Sequence, residues 1–183
     1  MFALLVALAV AGPVFPDPDA THLRRCQSLA AATDDLAAAA LAVPVGAADQ
    51  RRVVDSFRSP RSGGRIHKAT DIMAPRGTPI FALDDGVVGQ LRWNRLGGRV
   101  VEQLDVTGCV GFYYAHLDAY APGLQNGDVV HRGDLLGFVG TSGNTGGAAH
   151  LHLGVYFLGD RPGVFSWDHP LNPYPLLVPR DDS

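Results

Sequence analysis

From Val53 onward, apolar residues fall in short alternating or continuous runs bounded by Gly, Pro, Asn and Asp. That rhythm predicts strands near 53–57, 66–72, 79–82, 86–92, 99–106, 109–116, 134–139 and 150–157. The breaks coincide with turn signals at Asp85-Gly86, Gly97-Gly98, Thr107-Gly108, Asn126-Gly127 and Gly146-Gly147. Connections this short imply antiparallel pairing, because a parallel crossover needs about a dozen residues or more. Upstream the pattern changes. Residues 20–43 are dense in Ala, and Leu29, Leu36, Ala40 and Leu41 can share one face, which predicts a helix with Thr21 as its N-cap. Pro44 interrupts that pattern and opens a linker. The C-terminal DHPLNPYPLLVPRDDS is Pro-rich and is expected to lie extended over the domain. The chain thus reads as mainly β and antiparallel, with one short N-terminal helix.

The first residues form another apolar run, Phe2 to Ala11, ending in Ala9-Val10-Ala11. A short apolar stretch closed by small residues is the pattern of a secretory signal peptide, and Pro13 and Pro16 break its continuation before it reaches membrane-spanning length. The expected organisation is a signal peptide and lead-in over 1–19, a helical segment over 20–43, a linker over 44–52, one main domain over 53–178, and a tail over 179–183. The expected location is outside the cytoplasm, in the periplasm, the cell wall or the medium, with no stable membrane span.

Composition narrows the function. Hydrophobic residues make up 46% of the 183 and charged residues 18%, enough apolar material for a packed core. The net charge of −3 and the lack of a basic run argue against nucleic acid as a partner. The two cysteines, Cys26 and Cys109, lack the paired spacing of a cysteine metal site. They are read by default as separate thiols, with a disulfide as the alternative in an exported chain.

Four of the seven histidines fall where chemistry is plausible. In HLHLGVYF, strand alternation sends His150 and His152 to one face and Leu151, Leu153, Val155 and Phe157 to the other. The apolar face buries, and the histidine face requires water or a cation. In RIHKATDIMAP, His67 and Asp71 are four apart, a spacing that shares a face on a strand or a helix. His116 closes the aromatic run FYYAHL.

Together HKATD (67–71), YAHL (114–117) and HLHL (150–153) resemble, in order, the motifs of the lysostaphin-type (LytM-like) zinc endopeptidases of bacterial cell walls. The likeness extends over about residues 53–175 and includes APRGTPIFALDDGVV and the stretch from Asn126 to Leu153. It implies a hybrid β-barrel (barrel-sandwich) architecture. It also implies a zinc ion on His67, Asp71 and His152, with an open position for water. His150 would serve as the base and His116 as stabiliser of the oxyanion, the two exchangeable at this level. The substrate would be a peptide bond of peptidoglycan, in a cross-link or a stem peptide. The alternative is a non-catalytic relative that binds or regulates other wall hydrolases.

Two positions depart from the family pattern. Ala69 stands where Gly is usual, and Gly154 stands where an acidic residue is frequent. The segment Arg58 to Gly64 is short for the family and is expected to open one side of the groove. The Gly-rich run 140–147 lacks the ending of a phosphate-binding loop and is read as a groove wall that a peptide backbone can approach closely. GDVVHRGDLLGFVG (127–140) resembles the half-repeat of biotinyl and lipoyl carriers, taken as shared architecture without shared function.

Overall fold

The computed structural model describes residues 24, 26, 43–46, 53–159, 161 and 163–178. Nine strands follow in chain order: β1 (Thr70–Met73), β2 (Pro79–Phe81), β3 (Gly86–Asn94), β4 (Gly98–Asp105), β5 (Val110–Tyr120), β6 (Val129–Val130), β7 (Leu135–Val139), β8 (His150–Phe157) and β9 (Pro170–Leu171). A short helix, α1 (Tyr174–Leu177), closes the described chain. Every strand pair is antiparallel, as the short connections require. The main path runs β1-β8-β5-β4-β3-β6, with β7 on β5 and β2 on β7. Among the described strands these ladders form an open, branched path; they do not close into a ring.

The sheet buries material on both faces. On one face of β5 and β8 lie Phe112, Tyr114, Leu151, Leu153 and Val155, which belong to the large core with Ile72, Ile80, Leu117, Leu136 and Leu177. Tyr114 is the largest fully buried side chain. Its hydroxyl donates to Gln103 Oε1 at 2.8 Å and accepts from the Leu83 amide at 3.0 Å, so its polar end is satisfied. On the other face Tyr113, Ala115, Tyr156 and Leu158 pack with Val100, Leu104 and Phe165 in a smaller cluster.

Several expectations are corrected. Residues 53–57 form no strand; their polar groups are engaged by a local turn and by distant segments in place of a ladder. The Asp55 carboxylate accepts from the Phe57 amide, and the Ser56 hydroxyl accepts from the Asp71 amide. The strand expected over 66–72 begins only at Thr70; before it, Ile66 makes a single bridge to Pro60. The short β6 and β9 were not expected. The tail is not simply extended: β9 pairs with the end of β8, and α1 buries Leu176 and Leu177. Proline in the first turn of α1 is tolerated because that amide has no helical acceptor to lose. Cys26 and Cys109 are not separate thiols; they form a disulfide inside the core, with Cα atoms 5.3 Å apart. Of the helix expected over 20–43, Arg24 and Cys26 are helical; most of the remainder, the signal segment 1–19 and the tail 179–183 lie outside the described residues. Among the described residues no helix is long and apolar enough to cross a membrane.

Candidate metal centre

The centre is assembled from four parts of the chain. Antiparallel register places Asp71 of β1 directly opposite His152 of β8, and Ala115 of β5 opposite His152 on its other side. His67 precedes β1. It is held by backbone bonds, its amide to the Ser59 carbonyl (2.9 Å) and its carbonyl to the Arg58 amide (2.8 Å). These constraints bring three donor atoms into a small triangle. His67 Nε2 lies 3.0 Å from His152 Nδ1 and 3.1 Å from Asp71 Oδ1, and His152 Nδ1 lies 3.0 Å from Asp71 Oδ1.

The triangle suits a small cation. Zinc bonds of about 2.0–2.1 Å in a tetrahedral set hold ligand atoms roughly 3.3 Å apart. The protonation states suit it as well. Burial acts to raise the pKa of Asp71, but the bonds from His152 and His67 and their charge outweigh it and hold the carboxyl far below the usual range. Burial pushes His152 down, against the opposing carboxylate of Asp71. An ionised carboxylate and neutral imidazoles are the forms that bind a metal. The outer edge of the His67 ring is held as well: Nδ1 lies 2.8 Å from both the Ser56 carbonyl and Arg61 Nη2, and Nε2 faces the cluster.

The two remaining histidines flank the triangle. His150 Nε2 is 3.8 Å from Asp71 Oδ1, and its Nδ1–H donates to the Ala148 carbonyl at 2.9 Å. His116 and His150 have ring centres 4.7 Å apart, and His116 lies 5.6 Å from His152. His116 Nδ1–H donates to the Ser142 carbonyl at 2.8 Å. Both therefore turn Nε2 away from their carbonyl anchors. Burial lowers the pKa of His116 to about 4, with the Ser142 bond opposing, so its ring is neutral near pH 7.

His116 reaches this place through an irregular backbone. Simple alternation after Ala115 would aim it at the core beside Tyr114. Instead the β4–β5 register slips between Arg99 and Val101, and His116 takes φ +68°, in the left-handed region. A bulge of this kind re-aims a side chain, and the conformation is costly for a non-glycine residue. The Ser142 loop supports it: Ser142 Oγ donates to the Leu117 carbonyl and accepts from the Arg99 amide. That loop meets the β3–β4 turn closely. A Cβ on Gly98 would lie 2.6 Å from the Gly143 nitrogen, and one on Gly143 only 2.3 Å from the Gly98 nitrogen.

The sequence reading missed Arg61 and Trp167, and it included Ser142 only as part of the Gly-rich groove wall. Arg61 reaches Asp71 Oδ2 from the segment expected only to open the groove. Trp167 lines the groove from beyond β8 and packs edge-on to Tyr113 at 4.7 Å. No motif marks these residues; each depends on a loop path. Asn144, Thr145 and Gly146 of the Gly-rich run do line the groove, as expected. Ala69 is fully buried without a left-handed φ, so the loss of the usual Gly is accommodated. At Gly154 the space of a side chain is taken by the Tyr156 ring, 2.7 Å from a Cβ built there. Glu102 is no base for this site. It is buried in an ion pair with Arg92 and lies outside the groove lining; burial raises its pKa against the arginine. His22 lies outside the described residues, and His131 and His169 lie outside the groove lining.

Known proteins resemble the chain in sequence and in fold. The model of peptidase family M23 matches residues 65–162. The L-Ala–D-Glu endopeptidase of Bacillus subtilis is 38% identical over 121 residues, covering 63% of this chain and 35% of that protein. The peptidoglycan DD-endopeptidase ShyC of Vibrio cholerae is 35% identical over 109 residues, covering 57% of this chain and 24% of that protein. The chain thus spans about a third or less of the length of these relatives. The crystallised catalytic domain of lysostaphin from Staphylococcus simulans superposes with a TM-score of 0.60 at 25% identity, covering 70% of this chain and 94% of that domain.

Proposed function

The chain belongs to peptidase family M23, and from that premise we propose that it is an exported zinc metalloendopeptidase that hydrolyses peptide bonds of bacterial peptidoglycan, in cross-links or stem peptides. The observation that carries the reading is the 3.0–3.1 Å triangle of His67 Nε2, Asp71 Oδ1 and His152 Nδ1, with His150 and His116 beside it. Those three residues would hold the ion. Zinc there supplies Lewis acidity, which polarises a carbonyl and brings the pKa of water toward neutrality.

The protein's own part is proton handling and orientation. His150 Nε2 takes a proton from the attacking water and returns it to the leaving amine, its ring held by the Ala148 carbonyl. His116 would stabilise the developing oxyanion in its other neutral tautomer, which carries the single ring proton on Nε2 and gives up the Nδ1–H bond to Ser142. The rings of His116 and His150 lie 4.7 Å apart, which disfavours two imidazolium ions, so His116 stays neutral while His150 carries the proton taken from water. Arg61, on the second oxygen of Asp71, keeps Oδ1 aimed at the two imidazoles. The buried disulfide supports export, since such bonds persist in oxidising compartments. Residues 53–178 form the enzymatic domain in this reading.

The test combines metal and product analysis. The purified chain is expected to bind one equivalent of zinc. Digestion of peptidoglycans of several cross-link types is expected to create new amino termini, seen by mass spectrometry and lost with a chelator. Zinc binding well below one equivalent, or release of sugars alone, would overturn the reading. Stoichiometric zinc without new termini would favour the non-catalytic relative.

A further inference from the structure

The groove is divided by charge. Among the described residues that line it, Asp71 is the only carboxylate, whereas Arg61, Arg65 and Lys68 all line it. Arg61 is committed to Asp71. Arg65 and Lys68 are exposed, and neither pairs with a carboxylate among the described residues; the Arg65 guanidinium reaches only Ser62. An adjoining concavity shares Arg65, Leu96 and Asn144 with the groove and adds Arg95. The basic rim therefore continues past the site on that side, in a chain whose net charge is −3. The aromatic lining residues Tyr113, Tyr156 and Trp167 carry no charge.

A rim of unpaired cations beside a partly enclosed groove raises the local concentration of anions and speeds their capture. An exposed guanidinium adds a planar fork that matches a carboxylate. A bound metal ion would add positive charge and no compensation. An uncharged chain gains nothing from this arrangement.

We propose that Arg65 and Lys68 make this groove selective for a peptide with a free carboxylate beside the scissile bond, over an uncharged glycine chain. The proposal rests on the peptidase reading and narrows its substrate class.

The experiment uses two synthetic stem peptides of one sequence, one with free carboxylates and one with those groups as amides, together with pentaglycine. Binding is measured by calorimetry on the zinc-loaded full chain carrying His150→Ala, and cleavage on the unmodified chain. The free acid is expected to bind about tenfold more tightly than the amide, the scale of one charge-assisted contact. In Arg65→Ala/Lys68→Ala that ratio is expected to fall to about one, and in Arg65→Glu/Lys68→Glu below one. Both side chains are exposed, and thermal melts confirm that the variants fold. Equal binding of acid and amide, no binding of either, or a preference that survives in the double variants would overturn the proposal. A preference without cleavage by the unmodified chain would overturn the peptidase reading alone. Cleavage of acid and amide at equal rates would overturn the proposal and leave that reading standing.

Discussion

Two faces of one strand pair show how differently a core and a site are specified. On one side of β8, Leu151, Leu153 and Val155 are sealed into the main core with Phe112 and Tyr114 of β5. On the other, His150 and His152 share their face with Tyr156, and the partners come from far along the chain: Asp71 from β1, His67 from the segment before it, His116 from a bulge. The apolar face is redundant. Any side chain of suitable volume contributes, and its neighbours share the burial. The histidine face is built on three atoms near 3 Å apart, so one lost group removes the arrangement.

That contrast is broken most directly at His152 and Leu153, adjacent residues on opposite faces. His152→Ala is expected to lower peptidoglycan hydrolysis by about a thousandfold or more, with zinc content falling well below one equivalent and the fold retained. Leu153→Ala is expected to do the reverse. It should cost about 2–5 kcal/mol of stability by denaturant unfolding, because a fully buried side chain leaves a cavity. The surviving folded fraction should still bind zinc. If His152→Ala unfolds the protein, or Leu153→Ala strips the metal without unfolding, the two faces are not separable.

The same contrast explains what was legible in the sequence. Alternation in HLHLGVYF assigned both faces of β8, and the turn dipeptides located most of the strands, because those signals are local. The grouping of His67, Asp71 and His152 needed the likeness of three ordered motifs, since nothing within any one segment reveals an antiparallel register across 81 residues. His116 was legible as a candidate but not in its direction. A bulge with φ +68° reverses simple alternation, and neither YAHL nor its spacing encodes that. Arg61 and Trp167 sit on loops whose paths depend on the packed domain. The cysteine pair was illegible for a related reason: Cys26 and Cys109 are 83 residues apart and meet only when the N-terminal segment docks.

His116 sharpens the comparison because it is a strained residue on the site face. His116→Asn removes the ring but keeps a residue that tolerates the left-handed region. Activity should fall by about a hundredfold. Zinc content and melting temperature should stay close to those of the parent. His116→Val, whose branched side chain resists that φ, should lose stability as well. Equal stability of the two variants would remove the argument that the bulge is costly.

The smallest effect separates the faces by titration. In the metal-free protein, burial holds His116 near pKa 4 and pushes His152 down as well, whereas an unfolded histidine titrates near 6.5. Between those values the unfolded chain binds more protons than the native one. Stability contributed by neutral His116 is therefore present above about pH 6.5 and is lost as the pH falls toward 4. Asp71, held low by its histidines, adds no slope in this window: its stabilisation is fully present above its ordinary value of 3.8 and is lost only as the pH falls below it. The apolar face has no group that titrates here. Leu153→Ala should accordingly lower the whole stability-versus-pH curve without changing its slope between pH 6.5 and 4. His116→Asn should flatten that slope, removing up to about 3 kcal/mol of change across the window. An unchanged slope in His116→Asn would mean that the ring is solvated in the metal-free protein, and that the site face is less closed than its burial indicates.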